Sequence, residues 1–593
     1  MDAAGFLLQN GIKKEGAAMF RFRLACLILA LCGAVLSAAP ASAPAQKLPP
    51  ADLVLTNGRI VTMDPARPEV EALAVRGDRI EAVGTSRAIA GYIGPATQVI
   101  DLGGKLATPG WIDAHMHFPG LGESKLSLDL TKAHSWDDIV ALVAAAAKKA
   151  KPGEPIIGRG WHQEKWDRKP DPNVDGLPIH TALSQAAPDN PVVLTHASGH
   201  SSLANAKAME MSGITEKTPN PRGGEIIKDA AGRPIGAFLE TAQGLLNAPL
   251  ARWEASRTVE DKKAEQFKII ELANQECLSK GLTSVTDAGV GWSQVELYKQ
   301  AVDQGKLGVR LNVMLSESNA RMAKNAAAFR LIGYGADHLS VHAIKRLIDG
   351  ALGAHGAWLL EPYTDLPTST GLNTYPVADL RETARIAIEN GYQLCVHAIG
   401  DPANREVLNV FEEAIKAHPD KKDVRFRVEH AQHLSAADIP RFGKLGVIAS
   451  MQAIHCTSDG PWVPKRIGDA RAEEGAYVWR KLLATGAVIA NGTDAPVEDV
   501  DPIPVFYASV TRKMKNGGFF YPGQKMTREE ALKSYTVNAA YAAFEEKIKG
   551  SLAAGKLADV TVFSKDILSC PDDEIPSARV AMTIVGGKIM YKN

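Results

Sequence analysis

The chain has 593 residues, with 67 basic and 67 acidic side chains and a formal net charge of zero. This length allows one large domain or two modest ones with an ample hydrophobic core. Zero net charge leaves no basic footprint for nucleic acid or an anionic membrane. We therefore expect a small-molecule substrate, no nucleic acid and no membrane contact after signal cleavage; a homo-oligomer is compatible with this composition.

The N-terminal region, residues 1–45, has the pattern of a secretory signal peptide with a short extension. Arg21 and Arg23 precede the apolar run 24–36, and small residues and prolines follow it. This run is shorter than the ~20 residues that a membrane-spanning helix needs, so the pattern favours a cleaved signal over a membrane anchor. We therefore predict a periplasmic or secreted protein. Met19 is an alternative initiator, because the residues before it add nothing that a signal requires.

Strand-like runs occupy both ends of the remaining chain. Residues 51–107 and 548–593 contain short stretches of β-branched and apolar residues separated by turn signals. Each segment alone would leave a sheet edge and an apolar face unburied. We therefore predict that the two segments form the halves of one small β-sandwich domain, with residues 108–547 between them.

The central region alternates candidate strands with helical patterns, such as those at 377–389 and 404–417. This alternation predicts an α/β fold with a TIM-like (β/α)8 barrel of parallel strands. The first two strands are too far apart for an ordinary crossover, so residues 118–265 are predicted to form an inserted subdomain. The candidate barrel strands are residues 111–115, 283–287, 309–315, 341–347, 393–397, 425–430, 446–451 and 487–493.

A His-x-His motif ends the first candidate strand. Because a strand sends alternate side chains to one face, His115 and His117 point one way and Met116 points the other. Two imidazoles on one face are suited to binding one divalent cation. A single His-x-His also occurs by chance, so this interpretation depends on partners elsewhere in the chain.

Further candidates stand at or near the ends of later strands: His397, His430 and Asp494. The carboxyl ends of parallel barrel strands meet at one mouth, so separation along the chain is no objection. Lys345 lies on a candidate strand as well, but an ammonium has no lone pair for a metal. Taken alone, this residue is interpreted as a strand-edge lysine or as one that binds a substrate carboxylate. Glu429 alternates with His430, and we predict that it points outward toward the helices in a structural role.

The order His-x-His, Lys, His, His, Asp resembles the amidohydrolase superfamily. The surrounding segments resemble its Amidohydrolase 3 branch, the N-substituted formamide deformylase-like group, and the likeness runs from about Ala51 to the C-terminus. The matching segments, in the family's order, are residues 106–117, 158–161, 199–200 with Asn205, 349–353, 397–401, 428–432, 494–497 and 550–559.

The resemblance implies a centre of one or two divalent metal ions, with zinc expected. His115 and His117 would bind one ion, and His397 and His430 a second when two are present. Lys345 would be carboxylated by carbon dioxide to a carbamate that bridges both ions. The remaining member, Asp494, would contact the first ion and move protons.

Polar clusters beside glycine turns add candidates near the barrel mouth. In the insertion, His162 and His196 could line a substrate lid or could be surface histidines in turns, and both interpretations stay open. The family motif falls at His200, which favours a functional role there. His455 follows the seventh candidate strand and is likewise placed at the mouth.

These features predict hydrolysis of a carbon–nitrogen bond other than a peptide bond, in an amide, N-formyl or N-acyl amine substrate, by metal-activated hydroxide. Asp494 would accept the water proton and return it to the leaving nitrogen, and His200 or His455 would help to stabilise the oxyanion. A lactonase or other ester hydrolase, or a deaminase, on the same metal centre is an alternative. A secreted non-catalytic binding protein is a further alternative, which the complete ligand set disfavours.

The signal-peptide prediction can be tested by N-terminal sequencing of exported protein. Because the apolar run is followed by an Ala-x-Ala cleavage region, we expect a mature chain that begins close to Pro44 or Gln46. An intact Met1 or Met19 terminus on protein recovered from the cytoplasm would contradict the predicted export.

Overall fold

The computed structural model describes residues 48–593. The predicted signal peptide, residues 1–45, lies outside this range. Among the helices of residues 48–593, none combines the length and the apolar character that crossing a bilayer requires.

A β-rich segment comes first in the described chain. Its elements are β1 (Leu53–Thr56), β2 (Arg59–Val61), β3 (Glu69–Val70), β4 (Ala72–Arg76), β5 (Arg79–Gly84), α1 (Ser86–Ile89), β6 (Gln98–Asp101) and β7 (Leu106–Pro109). Four of these strands form a small sheet in the order β5-β4-β1-β6. The central strands β1 and β4 are buried along most of their length, whereas β5 at the edge is only intermittently buried. The apolar composition of β1 and β4 follows from their central position in the sheet.

The strand β8 (Trp111–Met116) opens the barrel, and all of its residues are buried. The helix α2 (Phe118–Ser124) follows, and the chain then leaves the barrel for an insertion. The insertion contains β9 (Leu128–Asp129), α3 (Trp136–Ala147), β10 (Ile156–Trp161), β11 (Asn173–Val174), β12 (Leu177–Pro178), α4 (Thr181–Ala186), β13 (Val192–His196), β14 (Ser201–Ala204), α5 (Ala206–Met211), β15 (Gly224–Lys228), β16 (Pro234–Glu240) and α6 (Asn247–Ala255).

The insertion has a sheet and a buried core of its own. The sheet has the order β15-β16-β14-β13-β10-β9. Trp136 and Ile139 of α3 pack with Trp161 of β10 in a cluster separate from the barrel core. The helix α3 begins at Ser135, whose hydroxyl accepts a hydrogen bond from the Asp138 N–H over 3.2 Å, a typical N-cap. The insertion therefore holds its loops on a framework of its own.

The chain returns to the barrel through the long helix α7 (Val259–Ser279), after which strands and helices alternate. The elements are β17 (Leu282–Val290), α8 (Trp292–Asp303), β18 (Arg310–Leu315), α9 (Asn319–Phe329), β19 (Leu331–Gly333), α10 (Tyr334–Asp337), β20 (Leu339–Leu347), α11 (Val377–Glu389), β21 (Gln393–Ala398), α12 (Asp401–Ala417), β22 (Arg427–His430), α13 (Ile439–Leu445), β23 (Ile448–Met451), α14 (Ala453–Asp459), α15 (Val463–Ile467), α16 (Asp469–Gly475), α17 (Trp479–Ala484), β24 (Ile489–Asn491), α18 (Pro502–Thr511), α19 (Arg528–Tyr535) and α20 (Val537–Ala542).

The barrel strands pair in parallel in the order β8-β17-β18-β20-β21-β22-β23-β24. The predicted TIM-like α/β fold is thereby confirmed. Helix α11 has the predicted bounds, but α12 begins at Asp401, before the predicted 404, because Gly400 is extended and Pro402 suits the first helical turn. Strand β22 begins at Arg427, after the predicted 425, because Arg425 has a left-handed φ of 45°, which interrupts extended backbone.

The first and last barrel strands, β8 and β24, meet at a seam that polar groups close. The Asp113 carboxylate accepts hydrogen bonds from the Thr493 N–H over 3.0 Å and from the Thr493 hydroxyl over 2.6 Å. The Asp494 N–H donates to the His115 carbonyl over 2.8 Å, and the His117 N–H donates to the Ala495 carbonyl over 2.7 Å. These bonds place the segment after β24 beside the His-x-His motif.

The strands β25 (Val560–Phe563), β26 (Val580–Val585) and β27 (Lys588–Lys592) end the chain. Because β25 pairs antiparallel with β7, strands from both chain ends share the sheet β27-β26-β25-β7-β2-β3. Leu53 and Val75 of the smaller sheet join Val560 and Ile584 of this one in a buried cluster. The β-sandwich and the domain boundaries stay predictions.

Candidate metal centre

The ligand candidates from the sequence meet at the carboxyl end of the barrel strands. They are His115, His117, Lys345, His397, His430 and Asp494. All of them except His115 line one cavity of about 920 Å³. His115 is fully buried directly behind this wall, with its ring centroid 4.7 Å from that of His430. Parallel strands therefore bring together groups that are hundreds of residues apart in the chain.

The distances between ligand atoms suit shared ions. Asp494 Oδ1 lies 3.3 Å from His117 Nε2 and 3.5 Å from His115 Nε2. Two ligands bound to one zinc ion at ordinary bond lengths and tetrahedral angles stand about 3.4 Å apart. The ligand atoms of His115, His117 and Asp494 lie within 4.8 Å of one another, and so do those of His430, His455 and Asp494. Asp494 is common to both groups.

Buried ligand atoms that lack a hydrogen-bond partner also indicate a metal site. His115 Nε2, His397 Nε2 and Asp494 Oδ1 are buried and have no hydrogen-bond partner among residues 48–593. Buried polar atoms in native proteins almost always have a partner, and imidazole nitrogen and carboxylate oxygen are the usual ligands of zinc. The residues present therefore fit a divalent cation.

Glu429 faces the barrel interior, so the prediction that it points outward is wrong. Its Oε2 lies 2.5 Å from His115 Nδ1, and Arg427 Nε donates to its Oε1 over 2.7 Å. The prediction assumed that His430 keeps the alternation of the strand. Instead His430 has a φ of 76°, which turns the backbone at the strand end, so that both Glu429 and His430 reach the site.

The inner carboxylate orients the first histidine. Because the Glu429 carboxylate is hydrogen-bonded to His115 Nδ1, the other ring nitrogen, Nε2, points toward Asp494. Gln452 acts in the same way on His430, with its Oε1 2.7 Å from Nδ1. Partners of this kind fix the tautomer and the direction of a metal-binding imidazole.

The protonation states also suit metal binding. Burial lowers the pKa of His115 to about 4 and lowers the pKa values of His397 and His430 well below the ordinary value, because the imidazolium form is desolvated. Burial alone would raise the pKa of Asp494, but the imidazoles of His117 and His115 hold it well below its ordinary value. Neutral imidazoles and an ionised carboxylate are the forms that bind metals.

Lys345 reaches the cavity through a gap that Gly289 leaves open. A Cβ atom at position 289 would stand 3.1 Å from Lys345 Cγ, so a larger residue there would crowd the lysine. The pKa of the Lys345 amine is lowered by burial, because the charged ammonium loses its hydration. Lys345 therefore lines the same cavity wall as His397 and His430, where burial makes its charged form less stable than in water.

Asp494 is held in a strained backbone conformation. Its φ is 59°, in the left-handed region, which costs a non-glycine residue about 1–2 kcal/mol. The seam bond from its N–H to the His115 carbonyl and a bond from the Val497 N–H to its own carbonyl, 2.7 Å long, hold this geometry. Such strain is concentrated at functional sites.

His200 comes from the insertion and lies at the barrel mouth. Its ring centroid is 5.0 Å from that of His397, and its Nδ1 lies 2.7 Å from Glu240 Oε2. Burial alone would lower the pKa of His200, but the Glu240 carboxylate raises it overall. Gly350 leaves room for that carboxylate, because a Cβ there would stand 2.0 Å from Glu240 Oε1. The His200 ring therefore lines the cavity while its Nδ1 side is held by a carboxylate.

A smaller cavity of about 60 Å³ opens beside the same ligands, and His162, His196 and His455 are among its lining residues. The rings of His162 and His196 lie 4.5 Å apart, and both side chains are buried. Burial lowers the pKa of His196 to about 3. The alternative that these two are surface histidines is therefore wrong. His455 Nε2 lies 3.9 Å from Asp494 Oδ2.

Some site residues were not singled out in the sequence. Asp349 accepts hydrogen bonds from the Gly400 and Ile399 N–H groups over 2.8 and 3.0 Å and lies 3.5 Å from His397 Nε2. Arg159 lines the large cavity. Both stand in segments that carry the family resemblance, which was the available signal. Glu240 carried no such signal.

Comparison with known proteins places these observations in a family. The chain is 32% identical over 566 residues to the Arabidopsis thaliana protein LONG AFTER FAR-RED 3, covering 91% of this chain and 92% of that protein. It is 27% identical over 547 residues to the N-substituted formamide deformylase of Arthrobacter pascens, covering 91% and 98%.

Among solved structures, the fold is similar to an uncharacterized metal-dependent hydrolase from Pyrococcus furiosus. The TM-score is 0.66 at 28% identity, with 87% of this chain and 100% of that one covered. The model of the amidohydrolase family matches residues 98–591. The chain therefore belongs to the amidohydrolase family of hydrolases.

Proposed function

We propose that this chain is a metal-dependent hydrolase of carbon–nitrogen bonds other than peptide bonds, in amides, N-formyl amines or N-acyl amines. The convergence of the ligand candidates on one cavity wall, with unsatisfied nitrogen and oxygen atoms, carries the proposal. The similarity to an N-substituted formamide deformylase supports the type of bond. Zinc, as one or two ions, and export to the periplasm or the medium are part of the same proposal.

Each ligand has a place in this scheme. His115, His117 and Asp494 would hold one cation, and His397 and His430 a second, with Lys345 as a carbamate between them. When bound, such a cation polarises a carbonyl oxygen and lowers the pKa of water to about 7. The carbamate forms when the neutral Lys345 Nζ attacks carbon dioxide, which makes an N–C bond and releases one amine proton.

Asp494 is the proposed proton carrier. Its carboxylate is ionised in the buried site, and its two oxygens face His117 at 3.3 Å and His455 at 3.9 Å. It is placed to accept the proton of the attacking water and to return that proton to the leaving nitrogen. The leaving nitrogen needs that proton to depart as a neutral amine.

His200 is the proposed donor to the carbonyl oxygen. Glu240 holds its Nδ1 side and favours the protonated ring, so the other ring nitrogen is available to the cavity. A donor aimed at the oxygen where negative charge develops stabilises the transition state. His455, on the far side of Asp494, is a second candidate for this role.

The two cavities favour a small acyl group. They share His200, His397, His430 and Asp494, so a substrate at these residues has access to both. The smaller one, about 60 Å³, is the proposed place for a formyl or acetyl group. The larger one, about 920 Å³, leaves ample room for the amine part.

A hydrolysis screen with metal-reconstituted protein tests the proposal. We expect N-formyl and N-acetyl amines to release amine and acid in equal amounts, because only the C–N bond is cleaved. Cyclic amides, lactones and simple esters serve as comparison substrates. Release of ammonia would indicate a deaminase and release of acid alone an ester hydrolase. Absence of turnover by metal-replete protein on all of these classes would favour the binding-protein alternative.

Lys345→Ala tests the bridging carbamate. We expect the variant to lose metal and activity, because the bridge between the ions is removed, and short carboxylates such as propionate to restore part of both. Metal content and turnover are measured on the same preparation. Lys280→Ala, which removes a lysine paired with Asp501 away from the cavity, is the control and should keep both. A free Lys345 ammonium pointing away from fully occupied metal sites in an electron-density map would contradict the carbamate.

Asp494→Asn tests proton transfer separately from folding. The amide keeps the size and one oxygen for the metal but cannot take the proton, so turnover should fall roughly 10²-fold or more while most of the metal and the melting temperature persist. The matched control is Asp501→Ala, which removes the N-cap of α18 and should cost about 1 kcal/mol of stability with little effect on turnover. A near-normal kcat with full metal in Asp494→Asn would remove Asp494 from the mechanism.

A further inference from the structure

Arg159, on the strand β10 of the insertion, has a guanidinium group with few partners. Its Nη2 donates one hydrogen bond, to the Ala197 carbonyl over 3.1 Å, and its buried Nε has no acceptor among residues 48–593. Among the same residues, no carboxylate oxygen lies within 4.0 Å of a guanidinium nitrogen of Arg159, the distance that defines an ion pair. A guanidinium has five N–H donors in a fixed fork, so most of its binding capacity is unused.

Three buried arginines of the described chain, Arg310, Arg427 and Arg346, bond mainly to other protein groups. Arg310 pairs with Asp559 at 2.8 Å, and Arg427 pairs with Glu429 at 2.7 Å. Arg346 also lines the large cavity, but its donors are taken up by the Lys345 and Glu317 carbonyls and the side chains of Thr383 and Asn319. Arg512 is also buried without a carboxylate, but it donates to the Phe520 and Tyr477 carbonyls and lies outside the lining of the large cavity. Arg159 differs from these arginines because its half-buried side chain lines that cavity with a single hydrogen bond to the described residues.

The carboxylates around the cavity do not supply that partner. Glu240 is paired with His200, and Glu317 is paired with Arg321 at 2.8 Å. Asp494 and Glu123 act on Arg159 only through space, and burial outweighs them in lowering its pKa. The positive charge therefore faces a cavity in which it has no neutralising group of its own.

Arg159 lies close to the side of the cavity that carries His200 and the metal-ligand candidates. Its guanidinium lies against the turn at Gly199, where a Cβ would be 3.5 Å from Nη2. The next residue, His200, has its ring 5.0 Å from that of His397. Arg159, His200 and all the metal-ligand candidates except His115 thus line one continuous space, with the arginine on the insertion and the ligand candidates on the barrel.

We propose that Arg159 binds a carboxylate of the substrate, so that the preferred substrates are N-formyl or N-acetyl amines whose amine part is an amino acid or a longer amino carboxylate. This inference rests on the proposed C–N hydrolase function. The planar fork of arginine matches a carboxylate with two parallel hydrogen bonds. The large cavity holds the amine part, so the carboxylate on that part is the group that meets Arg159.

The test compares acids with neutral amides of the same length. The substrates are N-acetylglycine, N-acetyl-β-alanine, N-acetyl-4-aminobutyrate and N-acetyl-6-aminohexanoate, each beside its primary carboxamide. We expect the wild-type enzyme to prefer the acid at one chain length, which reports the distance from Arg159 to the reacting carbonyl. Arg159→Gln should lower kcat/KM for that acid roughly 30- to 100-fold, mainly through KM, and leave the amide unchanged.

Two further variants distinguish recognition of the carboxylate by the arginine fork from a general effect of positive charge or of folding. Arg159→Lys keeps the charge but loses the fork, so its loss on the acid should be intermediate. Arg168→Gln removes the same charge from an exposed position of the insertion and should behave as the wild type. Equal losses on acid and amide in Arg159→Gln would assign the residue to folding or to the chemical step, and unchanged values on both would overturn the inference.

A binding measurement keeps this inference independent of the proposed reaction. Calorimetry with metal-loaded protein compares N-acetyl-4-aminobutyrate and its amide in the wild type, Arg159→Gln and Arg168→Gln. We expect the acid alone to lose affinity, and only in Arg159→Gln, because a carboxylate bound at the metals would be indifferent to Arg159. If the wild type binds the acid selectively but cleaves no N-acyl compound, the proposed function fails and the carboxylate site stands. Equal affinity for acid and amide in all three proteins would refute the carboxylate site.

Discussion

The polar seam between the first and last barrel strands is the constraint on which the site depends. Asp113 binds both the N–H and the hydroxyl of Thr493, and the Asp494 N–H binds the His115 carbonyl. These bonds hold a left-handed aspartate against the His-x-His motif. Burial raises the pKa of Asp113 to about 7, because the charged carboxylate loses its hydration in the closed seam. Without it, the aspartate and the two histidines would belong to separate, unconnected strands.

A second constraint is the charge balance inside the barrel. Glu429 is fully buried, and Arg427 compensates it while also donating to the Ala114 carbonyl over 2.7 Å and to the Ser450 hydroxyl over 2.8 Å. One guanidinium thus connects the first, sixth and seventh barrel strands and keeps the carboxylate that orients His115. Because removal of one partner leaves a buried uncompensated charge, metal binding and barrel stability share this group.

The insertion and the barrel make different contributions. The barrel holds the metal ligands on buried strand ends, where packing restricts their movement. The insertion brings His200 and Arg159 to the same cavity on a sheet with its own core. This separation gives the fold a way to change substrate recognition while the metal-ligand candidates stay in place, since loops on a rigid scaffold are the usual carriers of specificity.

The sequence predicted the barrel and the positions of its strands to within a few residues, and together with the family resemblance it predicted the metal-ligand candidates. Buried parallel strands are continuous apolar runs, and polar residues at their ends stand out. It did not determine the direction of Glu429, because one left-handed residue, His430, breaks the alternation on which that prediction relied. Nor did it reveal the partners Asp349 and Glu240 or the unpaired state of Arg159. Those properties depend on which groups from distant segments are nearby, and only the closed barrel with its insertion in place decides that.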